Sequence, residues 1–409
     1  MQKALENFRI CDFTGQLAGA GATKWLSAFG AEVIRIEDPV RDGRWDILRG
    51  NAPFKPGQKG LEHGGGFNNH NTDKLGITLN LRTQKGKEIL TELIKVSDAV
   101  TENFAAGVLD RWGFGYEALK AIKPDIVYVS NCGFGHEGPY HRFKTWGPIV
   151  QAISGLTFTS GLPDQPPAGW GYSYMDHTGG YYMAMAIMLA LRHKQNTGEG
   201  QWVDLACTEA AVTLNGPAVL DWTVNGTKLR KEDQPHSNRS QFQPMAPHGI
   251  YPCRGDDDWI ALSVRNNDDW EKLVTLIKDD WTGAYPKEST RLSQQDELDS
   301  LVSSWTSGFD KFELEAMLRA LPIPASAVRK PQERIDQDST TRNFGLWPTV
   351  EHSAMGKVQV DGQPVQFSET NWHQARGAPC LGEHNEDVLT RLLGYSSEEV
   401  AQLAEEGVL

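Results

Sequence analysis

GWGYSYMDHTGGYYMAMAIMLALRHKQNTGEGQWVDL, residues 169–205, decides how this chain folds. Trp170, Tyr172, Tyr174 and Asp176 fall at period two, which predicts a short strand with all four on one face. A turn with Gly179 and Gly180 follows. Tyr181–Leu191 carries no charge and predicts a buried helix of about three turns. The glycine-broken Thr197–Gln201 ends it, and another strand begins at Trp202. Asp176 thus stands just ahead of a helix start, with glycines behind it that let backbone approach closely. Two readings fit that position. One is an N-cap aspartate, the other a carboxylate nucleophile aimed into a cleft. The stretch alone does not choose between them.

Outward from this stretch, the preceding chain alternates strand and helix. Phe8–Thr14 reads as a buried strand, GQLAGAG as a loop, and Ala22–Gly30 as an apolar-periodic helix. Glu32–Glu37 is a second strand. Residues 38–74 are polar and glycine-rich, a long surface loop of the kind that carries function. Leu75–Leu81 returns to strand. Thr83–Ser97 is helical, with Ile89, Leu90, Leu93 and Ile94 on one side. Strand Ala99–Glu102, helix Gly115–Ile122 and strand Asp125–Asn131 complete a βαβ pattern. The fold class is therefore α/β: a large Rossmann-like domain with a largely parallel sheet covered on both faces.

The pattern shifts after about residue 215. Arg230–Pro247 is polar and broken by Pro235, Pro244 and Pro247. Residues 248–264 read as two strands joined by a charged turn around Gly255, and Asp268–Ile277 and Lys311–Leu318 as helices. The expected division is 1–215, then 216–330 as linker and smaller α/β domain, then 331–409. In that last segment Met355–Gln366 reads as a hairpin, and Asn385–Leu393 and Ser397–Glu405 as helices.

Composition narrows the chemistry. With 39% hydrophobic and 23% charged residues the chain is globular, and 409 residues suffice for two or three domains. A net charge of -13 argues against nucleic acid or an anionic membrane surface as the main partner. Any anionic ligand must then meet local basic residues. Cys11, Cys132, Cys207, Cys253 and Cys380 are scattered and never form CxxC, which suits a reducing cytosol without disulfides or zinc. There is no apolar signal core in MQKALENFRI and no uncharged run long enough to span a bilayer, so a soluble, cytoplasmic protein is expected.

Known motifs mostly fail. A dinucleotide site finds a strand, glycines, a helix and Glu37, but Lys24 stands where the third glycine belongs. No Walker A lysine motif, GxSxG elbow or HExxH spacing occurs. His63, His70 and His136 fall in loops and read as solvated.

A set of blocks does fit together. Leu17-Ala-Gly-Ala-Gly-Ala-Thr, Gly30-Ala-Glu-Val-Ile-Arg-Ile-Glu37, Asn80-Leu-Arg-Thr and Glu102-Asn-Phe104 resemble the class III coenzyme A transferases. So do Leu109-Asp-Arg-Trp-Gly-Phe114, Gly133-Phe-Gly-His-Glu-Gly-Pro139, Gln151-Ala-Ile-Ser-Gly155 and Thr197-Gly-Glu-Gly-Gln201. Ala378-Pro-Cys-Leu-Gly-Glu-His384 and the Glu406-Gly-Val-Leu409 tail complete the set. The resemblance covers nearly the whole chain in order. Its family includes formyl-CoA and carnitine CoA-transferases and the α-methylacyl-CoA racemases.

The resemblance implies that Asp176 is the catalytic aspartate. It also implies a coenzyme A site at Leu17, Ala18, Leu79, Arg82, Asn103, Phe104, Arg111, Gly133, Phe134 and Gly135. Arg82 and Arg111 suit the phosphates, and glycine loops admit anions to backbone N–H groups. Asp38 departs from the pattern, standing where formyl-CoA transferase has an arginine. The implied reaction moves CoA from a donor acyl-CoA to a carboxylic acid through an aspartyl anhydride and an aspartyl-CoA thioester, with CoA as co-substrate and no metal or redox cofactor. Backbone N–H groups around Gly179 and Gly180 are the expected oxyanion donors. Trp170, Tyr172, Tyr174 and Arg239 are candidate acid-binding residues, suiting a bulky, aryl-substituted acceptor such as benzylsuccinate with succinyl-CoA as donor. A racemase is the alternative, but Trp146 stands where racemases carry a catalytic histidine. The family also implies two interlocked subunits, as a homodimer or with a related chain, and a C-terminal segment that returns to the large domain.

Overall fold

Six parallel strands in the order β3-β2-β1-β4-β5-β6 form the sheet that positions the site. They are β1 (Arg9–Asp12), β2 (Glu32–Glu37), β3 (Leu75–Thr78), β4 (Ala99–Glu102), β5 (Val127–Cys132) and β6 (Trp202–Ala206). The structure is a computed structural model that describes residues 3–161, 165–171, 173–226, 238–239 and 243–409. Between the strands run α1 (Ala18–Ala28), α2 (Gly65–His70), α3 (Gln84–Lys95), α4 (Val108–Trp112), α5 (Tyr116–Ile122), α6 (Gly147–Ile153) and α7 (Tyr174–Thr197). After β6 come α8 (Cys207–Leu214) and α9 (Gly216–Asn225).

Alternation along the strands builds two cores, one on each face. Ile10, Val33, Ala99, Val127 and Val129 meet Leu26 of α1 and Met183, Ile187 and Leu191 of α7. Cys11, Ile34, Ile77, Val100 and Tyr128 meet Leu90 and Leu93 of α3 and Leu119 of α5 on the other. This second face is completed from the far end of the chain. Val388, Leu389 and Leu403 there belong to α15 (Asn385–Leu393) and α16 (Ser397–Glu405).

Residues 38–74 are less superficial than their composition predicts. Glu37, at the end of β2, receives Arg49 through two hydrogen bonds of 2.9 and 2.7 Å, and Arg35 reaches Asp46 at 2.9 Å. The Arg49 guanidinium lies 3.9 Å from the centre of the Phe67 ring. These buried pairs anchor the segment to the sheet, because a buried charge persists only when paired and hydrogen-bonded. They also answer the dinucleotide reading. Glu37 is fully buried against Arg49 and is not open to a ribose, and Lys24 is bound to Asp361.

The chain divides into two compact units. One holds residues 1–158, 169–217 and 340–409; the other holds 159–168 and 218–339. In the latter, β7 (His248–Pro252), β8 (Trp259–Ser263) and β9 (Ala325–Ala327) form an antiparallel sheet. Helices α10 (Asn267–Ile277), α11 (Glu288–Ser293), α12 (Gln295–Thr306) and α13 (Lys311–Ala320) belong to the same unit, and its core contains Ile260, Leu262, Trp270, Leu298 and Leu314. After α14 (Ser339–Phe344), the hairpin is β10 (Thr349–His352) with β11 (Gly356–Gln359). The alternating Met355–Gln366 stretch is therefore only its second half. Its partner strand precedes it, joined through the Ser353–Met355 turn.

Candidate active site

The sheet order reverses direction between β1 and β4, and a parallel sheet opens a crevice at the carboxyl ends of such strands. Here the loops after β1 and β4 are fastened to each other. Asn103 Oδ1 accepts from Gly15 N at 2.7 Å, and Asn103 Nδ2 donates to Gly15 O at 3.1 Å. Gly19 leaves room for this clasp, since a Cβ there would lie 2.6 Å from Asn103 Cγ. Leu17 caps α1 and is buried together with Ala18.

Asp176 lies at the same end of the sheet, but on a helix. The predicted strand from Trp170 to Asp176 does not form: α7 starts at Tyr174, with Ser173 as N-cap and Asp176 in the first turn. An acid there is favoured by the helix dipole, and packing of α7 against α1 holds the helix against the period-two pattern. The shared face is lost as well, since residues two apart on a helix point to different sides. Burial raises the Asp176 pKa above the usual carboxylate range, opposed by a side-chain hydrogen bond to Ser173 and by the charge of His177. Among the described residues no lysine or arginine pairs with it. The carboxylate rests on the first residue of α6: a Cβ on Gly147 would lie 2.9 Å from Asp176 Oδ2.

Gly179 and Gly180 have a different role from the one expected. Both sit inside α7, where their N–H groups belong to the helix ladder and are not open to an oxyanion. Their use is steric. A Cβ on Gly180 would lie 2.7 Å from Ala18 O, and one on Gly179 would lie 2.7 Å from Cys207 Sγ. These glycines let α1 and α8 close against α7 beneath Asp176.

Two clefts lead away from the crevice and share the Phe104 ring. The first, of about 400 Å³, is lined by Asp38, Arg41, Leu79, Arg82 and the aromatic group Trp45, Phe104 and Trp112. Trp45 and Trp112 stack at 5.7 Å, and Phe104 stands edge-on to both. Arg82 comes within 3.5 Å of Asp38. The second cleft, of about 250 Å³, is lined by Gln16, Asn103, Phe104, Gly133, Thr145 and Trp146 among others. Its far end thus reaches the residue before Gly147. Arg111 is brought to neither cleft; its side chain lies beside Gly107. Arg41, Trp45 and Trp112 were not singled out from sequence. The function-bearing loop and the Leu109–Phe114 block contained them, but neither said which side chains face the cleft.

The Gly133–Gly135 loop is held by the histidine read as solvated. His136 Nδ1 lies 3.0 Å from Asp204 Oδ1, its main-chain N–H donates to Oδ2 at 2.7 Å, and Glu102 lies 3.6 Å from Nε2. Burial disfavours the charged ring, but these bonds and charges outweigh it and raise the pKa to about 10. Asp204 is correspondingly lowered: burial works against its charge, and the His136 bonds prevail. Cys132, His136 and Asp204 offer donor atoms within 4.8 Å of one another, the makings of a cation site. The two bonds from His136 to Asp204 already make the group a structural clasp. His70 is also buried, on α2. Phe134 packs on Tyr140 and Phe143, at 5.6 and 6.5 Å.

The acid-binding candidates divide. Trp170 and Tyr174 are exposed and meet edge-on at 5.1 Å. Tyr172 lies outside the described residues. Arg239 is held by Asp296 and Asp299, the latter at 2.8 Å, so its guanidinium is engaged within its own unit.

Arginines and stacked rings thus line the first cleft, and the second, which shares Phe104 with it, runs to Trp146, the residue before the glycine on which the Asp176 carboxylate rests. The family described as CoA-transferase family III matches residues 5–385. The formyl-CoA:oxalate CoA-transferases of Bradyrhizobium sp. (strain ORS 278) and Streptomyces coelicolor are each 33% identical to the chain, covering 100% of it and 98% and 99% of themselves. A CaiB/BaiF family protein from Brucella suis has the same fold, with a TM-score of 0.84 and 26% identity over 96% of this chain and 100% of its own. The chain belongs to CoA-transferase family III, an enzyme family whose co-substrates are acyl-CoAs.

Proposed function

We propose that Asp176 is the nucleophile of a double covalent exchange. The observation that carries this is its partly buried carboxylate, free of a cationic partner among the described residues, seated on Gly147, the residue after Trp146 of the second cleft. Asp176 Oδ attacks the donor thioester carbonyl; the C–S bond breaks, leaving a mixed anhydride and CoA thiolate. The thiolate attacks the aspartyl carbonyl and the donor acid leaves as a carboxylate, giving an aspartyl-CoA thioester. The acceptor carboxylate attacks that thioester and expels the thiolate, which then attacks the acceptor's acyl carbon and frees Asp176. No net proton or electron is exchanged.

CoA lies along the two clefts in this reading, its nucleotide end near Arg41, Arg82 and the Trp45–Phe104–Trp112 group and its thiol end near Gly133 and Trp146. Arg41 supplies charge that Asp38 withdraws. The acceptor is a bulky, aryl-substituted acid, benzylsuccinate being an example, with succinyl-CoA as donor; the exposed Trp170 and Tyr174 rings two to six residues before Asp176 support this. The names of the relatives support a second reading, with formyl-CoA as donor and oxalate as acceptor. Racemisation is disfavoured, since the residue before Gly147 is Trp146, whose indole does not shuttle protons near neutral pH.

A second chain, identical or related, completes the enzyme. Tyr181, Met185, Met188 and Leu189 leave large apolar side chains exposed along α7, Leu189 by 71%. Five free cysteines suit a reducing cytoplasm, and no helix among the described residues is long and apolar enough to cross a membrane. Incubation with succinyl-CoA or formyl-CoA and a panel of acids, read by mass, tests the function. Aryl acids should acquire CoA, and hydroxylamine should trap the Asp176 peptide. Transfer only between formyl-CoA and oxalate would favour the second reading, and an untrapped Asp176 with full turnover would overturn the mechanism.

A further inference from the structure

Cys132 ends β5, Asp204 lies on the neighbouring β6, and His136 follows the Gly133–Gly135 loop. His136 Nδ1 stands near both other donors, 3.0 Å from Asp204 Oδ1 and 3.9 Å from Cys132 Sγ. The donor atoms of the three residues lie within 4.8 Å of one another. Three atoms so spaced share a point no more than about 2.8 Å from each. Zinc sits about 2.0–2.3 Å from nitrogen, oxygen and sulfur ligands, so small side-chain rotations close a shell around that point.

The surroundings hold these donors in the directions a metal needs. The His136 main-chain N–H holds Asp204 Oδ2 at 2.7 Å, which leaves Oδ1 to the ring. Ser130 Oγ lies 3.4 Å from Oδ1 and is itself held by Trp202 Nε1 at 3.0 Å. Glu102 lies 3.6 Å from His136 Nε2. A carboxylate beside the far nitrogen is the usual companion of a metal-bound imidazole, because it fixes which nitrogen faces the metal. Solvent has a way in, since the Asp204 side chain is 28% exposed and Cys132 lines the second cleft. The clasp of His136 on Asp204 is the proton-bearing state of this group. A metal takes the place of the hydrogen between them.

A thiolate, an imidazole and a carboxylate together suit Zn²⁺, whereas Mg²⁺ and Ca²⁺ take oxygen ligands. We propose that Cys132, His136 and Asp204 bind one Zn²⁺ reversibly, cross-linking the Gly133–Gly135 loop to β5 and β6. Three protein ligands leave a fourth position to water, the pattern of an open zinc site rather than a closed structural one. The Cys-x3-His spacing places the whole loop inside the chelate ring, and Gly135, at a φ of +71°, supplies the turn. Binding releases the His136 and Cys132 protons to solvent and involves no redox step. Asp176 takes no part, so the site stands or falls independently of the reading of that residue as the nucleophile.

The full-length protein, stripped with chelator and kept reduced, should be titrated with Co²⁺ as a spectroscopic probe and then with Zn²⁺ in competition. Co²⁺ should give the sulfur-to-metal charge-transfer band and the intense visible bands of a four-coordinate thiolate site, saturating at one ion per chain. Zn²⁺ should abolish them with a Kd at or below about 10 μM. Zn²⁺ at about a hundred times that Kd should raise Tm by about 2–4 °C. Cys132→Ala, a small change at the end of a strand, should lose the charge-transfer band and bind Zn²⁺ at least about tenfold more weakly. Asp204→Asn and Glu102→Gln should keep the band and weaken Zn²⁺ by about tenfold or more. A Co²⁺ spectrum without the thiolate band would overturn the site. So would a band that persists in Cys132→Ala, since it would come from another cysteine. Zn²⁺ affinity unchanged in all three variants, or a Kd weaker than about 10 μM, would mean an adventitious ion only and overturn it too.

Discussion

Gly147→Ala should separate catalysis from stability. The added Cβ would lie 2.9 Å from Asp176 Oδ2, 3.2 Å from Asp176 Cγ and 3.2 Å from Ser173 Cα, whereas ordinary contact begins near 3.4 Å. The carboxylate must retreat by about 0.5 Å, and the Ser173 main chain at the start of α7 restricts that retreat. A reacting group misplaced by about 1 Å loses on the order of a hundredfold in rate, so half that displacement should lower kcat by about tenfold. Gly147 is the first residue of α6, where alanine's advantage over glycine in a helix interior does not apply in full, so melting should change little. Transfer kinetics with the best donor–acceptor pair, alongside thermal unfolding, gives both numbers, and Gly147→Ser should lower kcat further. A folded Gly147→Ala enzyme with wild-type kcat would refute the seating of Asp176 on α6.

Asp176→Asn should lose at least about 10⁴-fold in kcat, the scale of removing a nucleophile, with Tm changed by no more than about 2 °C because the helix-dipole stabilisation lost with the charge is offset by the desolvation cost removed with it. Because burial raises the Asp176 pKa, the carboxylate form is lost as pH falls; the acid limb of kcat/KM in a pH–rate profile should lie above the usual carboxylate range. Arg41→Ala and Arg82→Ala should each raise the acyl-CoA KM by about tenfold and weaken its salt dependence, with kcat little affected, as titration of KM against ionic strength would show. His136, with its pKa raised to about 10, contributes stability that is full below about pH 6.5 and lost as pH rises towards 10; His136→Gln should flatten the alkaline decline of Tm. Gly180→Ala sets a Cβ 2.7 Å from the main-chain Ala18 O and should destabilise by about 1–3 kcal/mol in denaturant titrations.

Much of the large sheet was legible because its strands are buried on both sides and read as apolar runs. Glu32–Glu37 and Ala99–Glu102 form strands with the predicted boundaries, and so do the helices Asn385–Leu393 and Ser397–Glu405. The failures have physical causes. Tyr174 and Asp176 fit a strand by period, but an acid three residues past a serine also suits a first helical turn, and packing of α7 against α1 decided it. The hairpin near residue 355 was shifted because β10, with the alternating burial of Thr349–His352, reads as polar. Asp176 and Phe104 came from resemblance to a family, whereas Arg41 and Trp45 needed the folded path of residues 38–74 to bring them to the cleft. Cys132 and Asp204 are far apart in sequence, and no local pattern announces that they meet at His136.

The last helices matter during synthesis. Leu75, Ile77, Leu90 and Leu93 have their cover completed by Val388, Leu389, Val400 and Leu403, and Asn80 N donates to Val408 O at 2.8 Å. A ribosome must therefore reach residues 385–409 before that face of the sheet is closed, at the edge beside Leu79 and Arg82. Until residues 385–409 emerge, the growing chain carries an apolar surface that chaperones must shield. A stop codon just before Asn385 should leave the nucleophile encoded but yield a polypeptide that aggregates, so loss of residues 385–409 is as harmful as damage at Asp176.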